Sequence, residues 1–485
     1  MNIGPLKDNL VADTDLYKYS HWKFINSGLT NSYVYGEARA GGRYPETLFF
    51  GLHAIIQKHL LAPVTHADVD EAIAISNAAF GHDAVNEEVW RKVADLGHLP
   101  IHIKSVPEGT AVPLGNVLFT IESTEEWFAK SANLLETTLM RVWYPSSILT
   151  RSARIKKRLL PLFRESGTPE LLDHLVVDFG LRGASSMESG ELGGMAHLIA
   201  FLATDNARAV RGLHAYYGYD KNQISGLNPM GYRVSTIVAS EHSVALSYGR
   251  LGEKDYLKNM LTKFGDVPVS IVIDTYDAHG FVRNHAADEE IKKLIIERNA
   301  RVVFRPDSGN PKTIVLQILE LLGEIFGTTR NEKGVMGYKV INHNVGMIQG
   351  DGMNEDSIIE LYQHIMDAGW SADNLAVGSG GGLLQSDITR DTQRFAIKPS
   401  AGTINGVPYN FMKNPATDPT KASKGGRLKL HPTYNGGFIT ISSANNSETS
   451  FNSFVDVLET VYLNGKYTEP KLSEIVKRVD KFMNL

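Results

Sequence analysis

Between residues 174 and 378 apolar positions come in short blocks, at 174–180, 198–203, 233–239, 268–274, 301–304, 345–348 and 374–378. Each block stops at glycine, acidic or hydroxyl residues: Asp178-Phe-Gly-Leu-Arg-Gly183, Thr204-Asp205, Ser240-Glu-His242, Asp274-Thr-Tyr-Asp277, Arg305-Pro-Asp-Ser-Gly309, Ile348-Gln-Gly-Asp-Gly352 and Gly378-Ser-Gly-Gly-Gly382. Several links between them, 243–265 and 311–326 among them, carry helix-like apolar spacing. Continuous apolar runs joined by helices predict parallel strands buried on both faces. The fold class expected is α/β, an irregular (β/α) barrel of about seven parallel strands. An open doubly wound sheet is the alternative, disfavoured because no G-x-G-x-x-G unit dominates.

The flanking regions have another texture. Ser32–Arg39 reads as a strand, 48–61 and 67–79 as helices, and 99–109 and 111–122 as short strands with Gly/Pro turns. A helical stretch, broken near Pro145, runs to about Glu165. Residues 389–427 are rich in Lys, Arg, Pro and Gly, with Arg390, Arg394, Lys398, Lys413, Lys421, Lys424 and Arg427. Gly426 to Ser443 predicts strand–turn–strand around Asn435-Gly-Gly437, and 471–482 a terminal amphipathic helix. The expected domains are a discontinuous α+β domain with an antiparallel sheet, 1–165 with 386–485, and the barrel, 166–385. Residues 9–24 mix aromatic and charged groups without a period, and composition favours a segment docked on the core over a ligand-facing arm.

Composition narrows the function. With 42% hydrophobic and 21% charged residues the 485-residue chain is ordinary globular protein. A net charge of −5 argues against general nucleic-acid binding. There is no cysteine, which excludes disulfides, thiolate metal sites and cysteine nucleophiles. Met1-Asn-Ile-Gly-Pro-Leu-Lys-Asp lacks a signal-peptide core, and no apolar run reaches the ~20 residues of a membrane span. A cytoplasmic protein without a membrane partner is expected.

In parallel β/α sheets ligands bind at the carboxyl ends of the strands. The side chains falling there are Arg182, Asp205, His242, Asp274, Arg305, Asp307 and Asp351, with glycines 378–382. Carboxylates suit sugar hydroxyls, and bare glycine amides suit phosphate; together they point to a phosphorylated sugar. His242 and Asp274 end consecutive runs and are expected to be neighbours, an Asp orienting a nucleophilic or basic imidazole. A lone His242 would otherwise be an ordinary rim residue.

Nearly the whole chain resembles the nicotinamide phosphoribosyltransferase family, type II phosphoribosyltransferases. The likeness lies in Asp15-Leu-Tyr-Lys18, Asp178-Phe-Gly-Leu-Arg-Gly-Ala-Ser-Ser186, Thr204-Asp205, Ser240-Glu-His-Ser243, Asp274-Thr-Tyr-Asp277, Arg305-Pro-Asp-Ser-Gly-Asn-Pro311, Ile348-Gln-Gly-Asp-Gly352, Gly378-Ser-Gly-Gly-Gly-Leu-Leu-Gln385, Thr389-Arg-Asp391 and Gly426-Arg-Leu428. The resemblance implies transfer of 5-phosphoribosyl from phosphoribosyl pyrophosphate to the pyridine nitrogen of nicotinamide, in NAD salvage. Nicotinamide mononucleotide and pyrophosphate are the products, and Mg²⁺ is required.

By the same likeness Phe179 and Tyr17 sandwich the pyridine ring, Tyr17 coming from the second subunit of a homodimer with shared sites, and Asp15 belongs to the substrate-binding set. Asp205 accepts from the carboxamide, and Arg182 and Arg305 line the ring and phosphates. Asp307, Gly350 and Asp351 hold the ribose, and Gly380 and Gly381 its 5′-phosphate. Arg39, Arg390, Lys398 and Lys413 take phosphate or pyrophosphate across the dimer. His242 is phosphorylated by ATP; with Asp274 and Asp307 it makes the catalytic set, and no metal ligand is assigned. Ala396, Leu181 and one extra residue between Gln385 and Arg390 depart from the family pattern. The alternatives are a nicotinate phosphoribosyltransferase and a non-catalytic phosphosugar-binding or signalling protein on the same fold; for Asp205, the alternative role is capping the following helix.

Overall fold

A computed structural model describes residues 6–218, 227–417 and 422–484; Lys421 lies outside them. The chain divides into two compact units. One comprises Met1–Thr150, Ala215–Asp220 and Ile388–Phe482; the other comprises Arg151–His214, Lys221–Asp387 and Met483–Leu485.

The first unit is built on a seven-stranded antiparallel sheet that draws on distant parts of the chain. In order across the sheet its strands are Val407–Asn410, Phe395–Ile404, Leu29–Ala38, Val117–Ser123, Ile101–Ser105, Glu459–Leu463 and Lys466–Tyr467. Strands from before residue 125 and strands from after residue 394 therefore meet in one sheet, whose apolar face packs on Phe49, Ile55, Trp90 and Phe128. Gly36 makes room for this core, since a Cβ there would lie 2.1 Å from the Phe119 ring. The strands of the 428–443 hairpin, Leu428–Pro432 and Phe438–Ser442, turn at Gly436, where φ is 82°.

The second unit holds a six-stranded parallel sheet: β1 (Val176–Asp178), β2 (Val238–Ala239), β3 (Val269–Val272), β4 (Val302–Arg305), β5 (Val345–Gln349) and β6 (Leu375–Ser379). Their spatial order is β1-β6-β5-β4-β3-β2. Every residue of β3 and β5 is buried, the signature of strands covered on both faces. Parallel pairing continues beyond this ladder through single bridges, Asp178 to Thr204 and Ala203 to Ser235. The seventh segment thus adds bridges and no full strand. Between the strands a small apolar cluster of Val177, Ala203, Val303 and Ile348 fills the interior, with Phe179 packed against it.

Two sequence expectations give way. The run at 198–203 ends helix α1 (Met187–Ala200), where residues 190 to 200 are all buried; an all-round apolar helix and a buried strand look alike over six residues. The helix expected from Leu48 starts at Leu52, because Glu46–Leu48 pairs with Ala111–Pro113 and Gly51 takes the left-handed conformation. The helical stretch is broken near Pro145 as expected: Glu136–Met140 ends before Trp143–Ser166 begins, and Pro145 sits in the first turn of the second helix, where an amide is without an intrahelical partner in any case.

His197 lies fully buried in α1, its Nε2 3.1 Å from the Val176 carbonyl and its Nδ1 3.0 Å from Ser152 Oγ. Burial pushes it down from 6.5 to about 4. Between those values the unfolded chain binds a proton that the folded chain does not. The stabilisation is therefore complete above pH 6.5 and is lost as pH falls toward 4, by about 3 kcal/mol. The gap in unfolding midpoint between wild type and His197→Gln should narrow over that interval; a constant gap would refute this assignment.

Candidate active site

The strand ends of the second unit bring one group of side chains together. His242 opens a short helix just after β2, and its Nε2 is 3.1 Å from Asp274 Oδ1 at the end of β3. The other Asp274 oxygen accepts the Asp307 amide at 2.9 Å, so this nearly buried carboxylate is held from both sides. Asp307 Oδ2 stands 3.9 Å from His242 Nδ1, and Asp307 Oδ1 is 3.8 Å from Arg305 Nε. β2, β3 and β4 are neighbours in the sheet, which is why residues 242, 274 and 307 converge.

Glycines admit the next layer. A Cβ on Gly350 would lie 3.0 Å from Asp307 Oδ1 and 3.4 Å from the Phe179 ring; on Gly378 it would lie 1.9 Å from that ring. Phe179 therefore lies across the ends of β5 and β6, where any side chain at 378 would displace it. Gly380 and Gly381 open the turn after β6, and a Cβ on Gly381 would meet nothing within 4 Å. Asp351 is exposed beside Gly350, and Arg182 is exposed with Nη1 3.8 Å from Glu241.

Asp205 borders an open cleft of about 570 Å³ that includes Val210, Arg211, Tyr232 and Thr236. Its Oδ1 accepts from the Thr236 hydroxyl. The capping role does not belong to it: Asn206 Oδ1 takes the Ala209 amide at 3.0 Å, in the first turn of helix α2 (Ala207–Tyr217).

The remaining expected residues lie in the first unit. Asp15 accepts from Thr137 Oγ1, and Tyr17 is 59% exposed with its edge toward His21. The segment around them is docked: Val11, Lys18 and Tyr19 are buried, and Lys18 Nζ is 2.6 Å from Glu136. Lys398 is held below its usual value, first by burial and then by the positive charges of Arg39 and Lys413, so these three cations form one cluster. Arg390 is exposed and pairs with Asp391, while Lys424 and Arg427 are paired with Glu37 and Glu122. Among the described residues no group of three or more Asp, Glu or His side chains is arranged to hold a metal.

Comparison with known proteins places this geometry. The model of the nicotinate phosphoribosyltransferase (NAPRTase) family matches residues 174–466, and that of the nicotinamide phosphoribosyltransferase N-terminal domain matches 9–103. A nicotinamide phosphoribosyltransferase of Xanthomonas campestris pv. campestris is 43% identical over 465 residues, 95% of each chain. The chain belongs to the nicotinamide phosphoribosyltransferase family. A second relative of that name, from Acinetobacter baylyi, is 30% identical over 89% of this chain and 88% of its own. The fold is shared with nicotinate-nucleotide pyrophosphorylase from Pyrococcus furiosus, at TM-score 0.60, 17% identity and complete coverage of both chains. It is also shared with human nicotinic acid phosphoribosyltransferase, at TM-score 0.54, 15% identity and coverage of 96% and 93%.

The structure adds two residues that the sequence left unassigned, Gln349 and Thr275. Their Oε1 and Oγ1 atoms, like Nε of Arg305, are buried without a hydrogen-bond partner, all at strand ends. Such atoms cost about 1–3 kcal/mol each when left unsatisfied, so this is unused hydrogen-bonding capacity at the strand ends. Gln349, a fully buried amide ending an apolar strand, was the one with a sequence signal.

Proposed function

We propose that the chain transfers the 5-phosphoribosyl group of phosphoribosyl pyrophosphate to nicotinamide, giving nicotinamide mononucleotide and pyrophosphate in NAD salvage. The observation that carries the reading is the convergence of His242, Asp274, Asp307, Arg305, Gly350 and Phe179 in a chain 43% identical over 95% of its length to a nicotinamide phosphoribosyltransferase. As the C1′–pyrophosphate bond breaks, positive charge grows on the ribose ring. Asp307, held near that ring by the Asp274 contact, stabilises it. The unpartnered Gln349, Thr275 and Arg305 atoms suit ribose hydroxyls and phosphate oxygens. The pyridine nitrogen has no proton to lose, so the attack needs no base.

Mg²⁺ fits a site of this kind, because that ion is commonly held by substrate phosphates and only one or two carboxylates. Asp307 and Asp351, accessible carboxylates on either side of Gly350, would hold it, and the metal's contribution when bound is to neutralise the leaving pyrophosphate. ATP enters as a co-substrate at His242. Its γ-phosphorus bonds to the imidazole nitrogen facing away from Asp274, the bond to the ADP oxygen breaks, and ADP leaves. The cytoplasm is the compartment this chemistry suits; no helix among the described residues is long and apolar enough to cross a membrane.

The deciding test offers nicotinamide and nicotinate separately, with phosphoribosyl pyrophosphate and Mg²⁺, and identifies the nucleotide formed. Nicotinate mononucleotide as the main product would overturn the reading. A Gly378→Ala substitution should raise KM for nicotinamide on the order of tenfold, since its methyl must displace Phe179 at a cost of about 1–3 kcal/mol. An unchanged KM would remove Phe179 from the base pocket.

The exposed Tyr17 and the Arg39/Lys398/Lys413 cluster suit a homodimer in which each subunit completes its neighbour's site. Mixing inactive Tyr17→Ala with inactive Asp307→Ala should then restore up to about a quarter of wild-type activity, because half of a random mixture is heterodimer and each heterodimer carries one intact site in two. A fully active monomer would refute the sharing.

A further inference from the structure

Asp178 is fully buried at the end of β1, yet no step of the chemistry uses it. Its two oxygens bind two different loops. Oδ1 accepts the Gly180 amide at 2.7 Å, closing the turn that carries Phe179. Oδ2 accepts from Asn206 Nδ2 at 3.1 Å and more weakly from Thr204 Oγ1 at 3.4 Å, the residues on either side of Asp205. The Asp178 carbonyl also takes the Asp205 amide at 3.0 Å. Asn206 is a shared hub: its Nδ2 reaches the Gly190 carbonyl at 2.8 Å as well, while its oxygen caps α2. Helix α1 leaves no spare room, for a Cβ on Gly194 would lie 2.5 Å from Asn206 Nδ2 and 2.9 Å from Asp178 Oδ2.

We propose that Asp178 is a positioning residue that locks the Phe179 loop to the Asp205 loop, so that the group stacking on the base and the group reading its carboxamide keep one fixed spacing. The proposal rests on the nicotinamide reading of the site. It explains why a buried carboxylate is retained where burial pushes it up to about 6. A buried charge is tolerated where hydrogen bonds satisfy it, and here those bonds come from the two loops that need aligning.

The test combines kinetics with amide hydrogen exchange on the whole protein. Asp178→Asn keeps the shape and the acceptor for Gly180, but sets its NH₂ against the NH₂ of Asn206. It should raise KM for nicotinamide at least about tenfold, with KM for phosphoribosyl pyrophosphate within about twofold. Exchange should quicken in 178–183 and 203–208 together, while 269–272 and 302–305 stay protected. Asn206→Ser keeps a capping hydroxyl but is too short to reach Asp178, and should produce the same split. Equal rises in both KM values, no change in either, or loosening of the barrel strands as large as that of the loops would overturn the proposal. A wild-type chain that used nicotinate would strike the functional reading instead, and the paired exchange of the two loops would still decide the coupling.

Discussion

His242→Ala should abolish ATP-dependent phosphohistidine labelling and all stimulation of transfer by ATP, while ATP-independent transfer survives. The imidazole is held by Asp274 at Nε2, and Asp274 is itself fixed by the Asp307 amide. The proton on Nε2 is thereby committed to the carboxylate, which leaves the lone pair on Nδ1, 3.9 Å from Asp307 Oδ2; the side chain is 42% exposed. On the proposed role, removing the ring removes the acceptor of the phosphoryl group, so labelling should fall by a hundredfold or more, on the order of what loss of a nucleophile costs. Bond formation between nicotinamide and C1′ does not pass through His242, and basal transfer should stay within about tenfold. Asp274→Asn should also depress labelling, because an amide no longer favours the required tautomer. Undiminished phosphohistidine in His242→Ala would place the phosphate elsewhere.

Asp205→Asn should narrow the preference for nicotinamide over nicotinate. Nicotinamide presents an NH₂ donor, whereas nicotinate presents a second anionic oxygen. Thr236 donates to Asp205 Oδ1, which orients the carboxylate; in the proposed role the other oxygen takes the carboxamide. An ionised Asp205 gains a charge-assisted hydrogen bond from the amide. Against nicotinate it faces a like charge, which costs on the order of several kcal/mol in a partly desolvated cleft. At about 1.4 kcal/mol per tenfold this is a preference of at least a hundredfold in kcat/KM. The asparagine keeps the shape without the charge, so nicotinamide use should weaken and the preference should fall to about tenfold or less. Asn206 caps the following helix, so helix stability is not the reason to expect a change. An unchanged ratio of the two kcat/KM values would end the specificity role of Asp205.

Local pattern carried much of this chain. The runs at 268–274, 301–304, 345–348 and 374–378 are strands β3 to β6, because a strand buried on both faces must be apolar throughout and must end where the chain returns to solvent. The Asn435-Gly-Gly437 turn and the terminal helix were equally local matters, set by a left-handed glycine and by apolar spacing. The meeting of His242 with Asp274 was legible too, since it needs only that two consecutive runs be adjacent strands.

Other features had no local signal. The apolar run at 198–203, whose first three residues end α1, is read as helix only once its packing on all sides is known. Whether Asp205 or Asn206 caps α2 depends on which side chain turns back to the Ala209 amide, and both residue types are good caps. Asp178 looked like one more strand-end carboxylate, until folding placed residues 180, 204 and 206 around its two oxygens. Gly378 looked like part of a phosphate loop, and the fold makes it also the floor under Phe179.

The sequence by itself determined the parallel strand series, the identity of the strand-end groups, the absence of cysteine chemistry and the family. Each of these is written in residue type and spacing along the chain. Only the tertiary structure decided which polar atoms are paired, which are left open toward a ligand and which glycines exist to admit a neighbour. Those properties belong to pairs of residues tens or hundreds of positions apart, and they arise only when packing brings the pair within hydrogen-bond or van der Waals range.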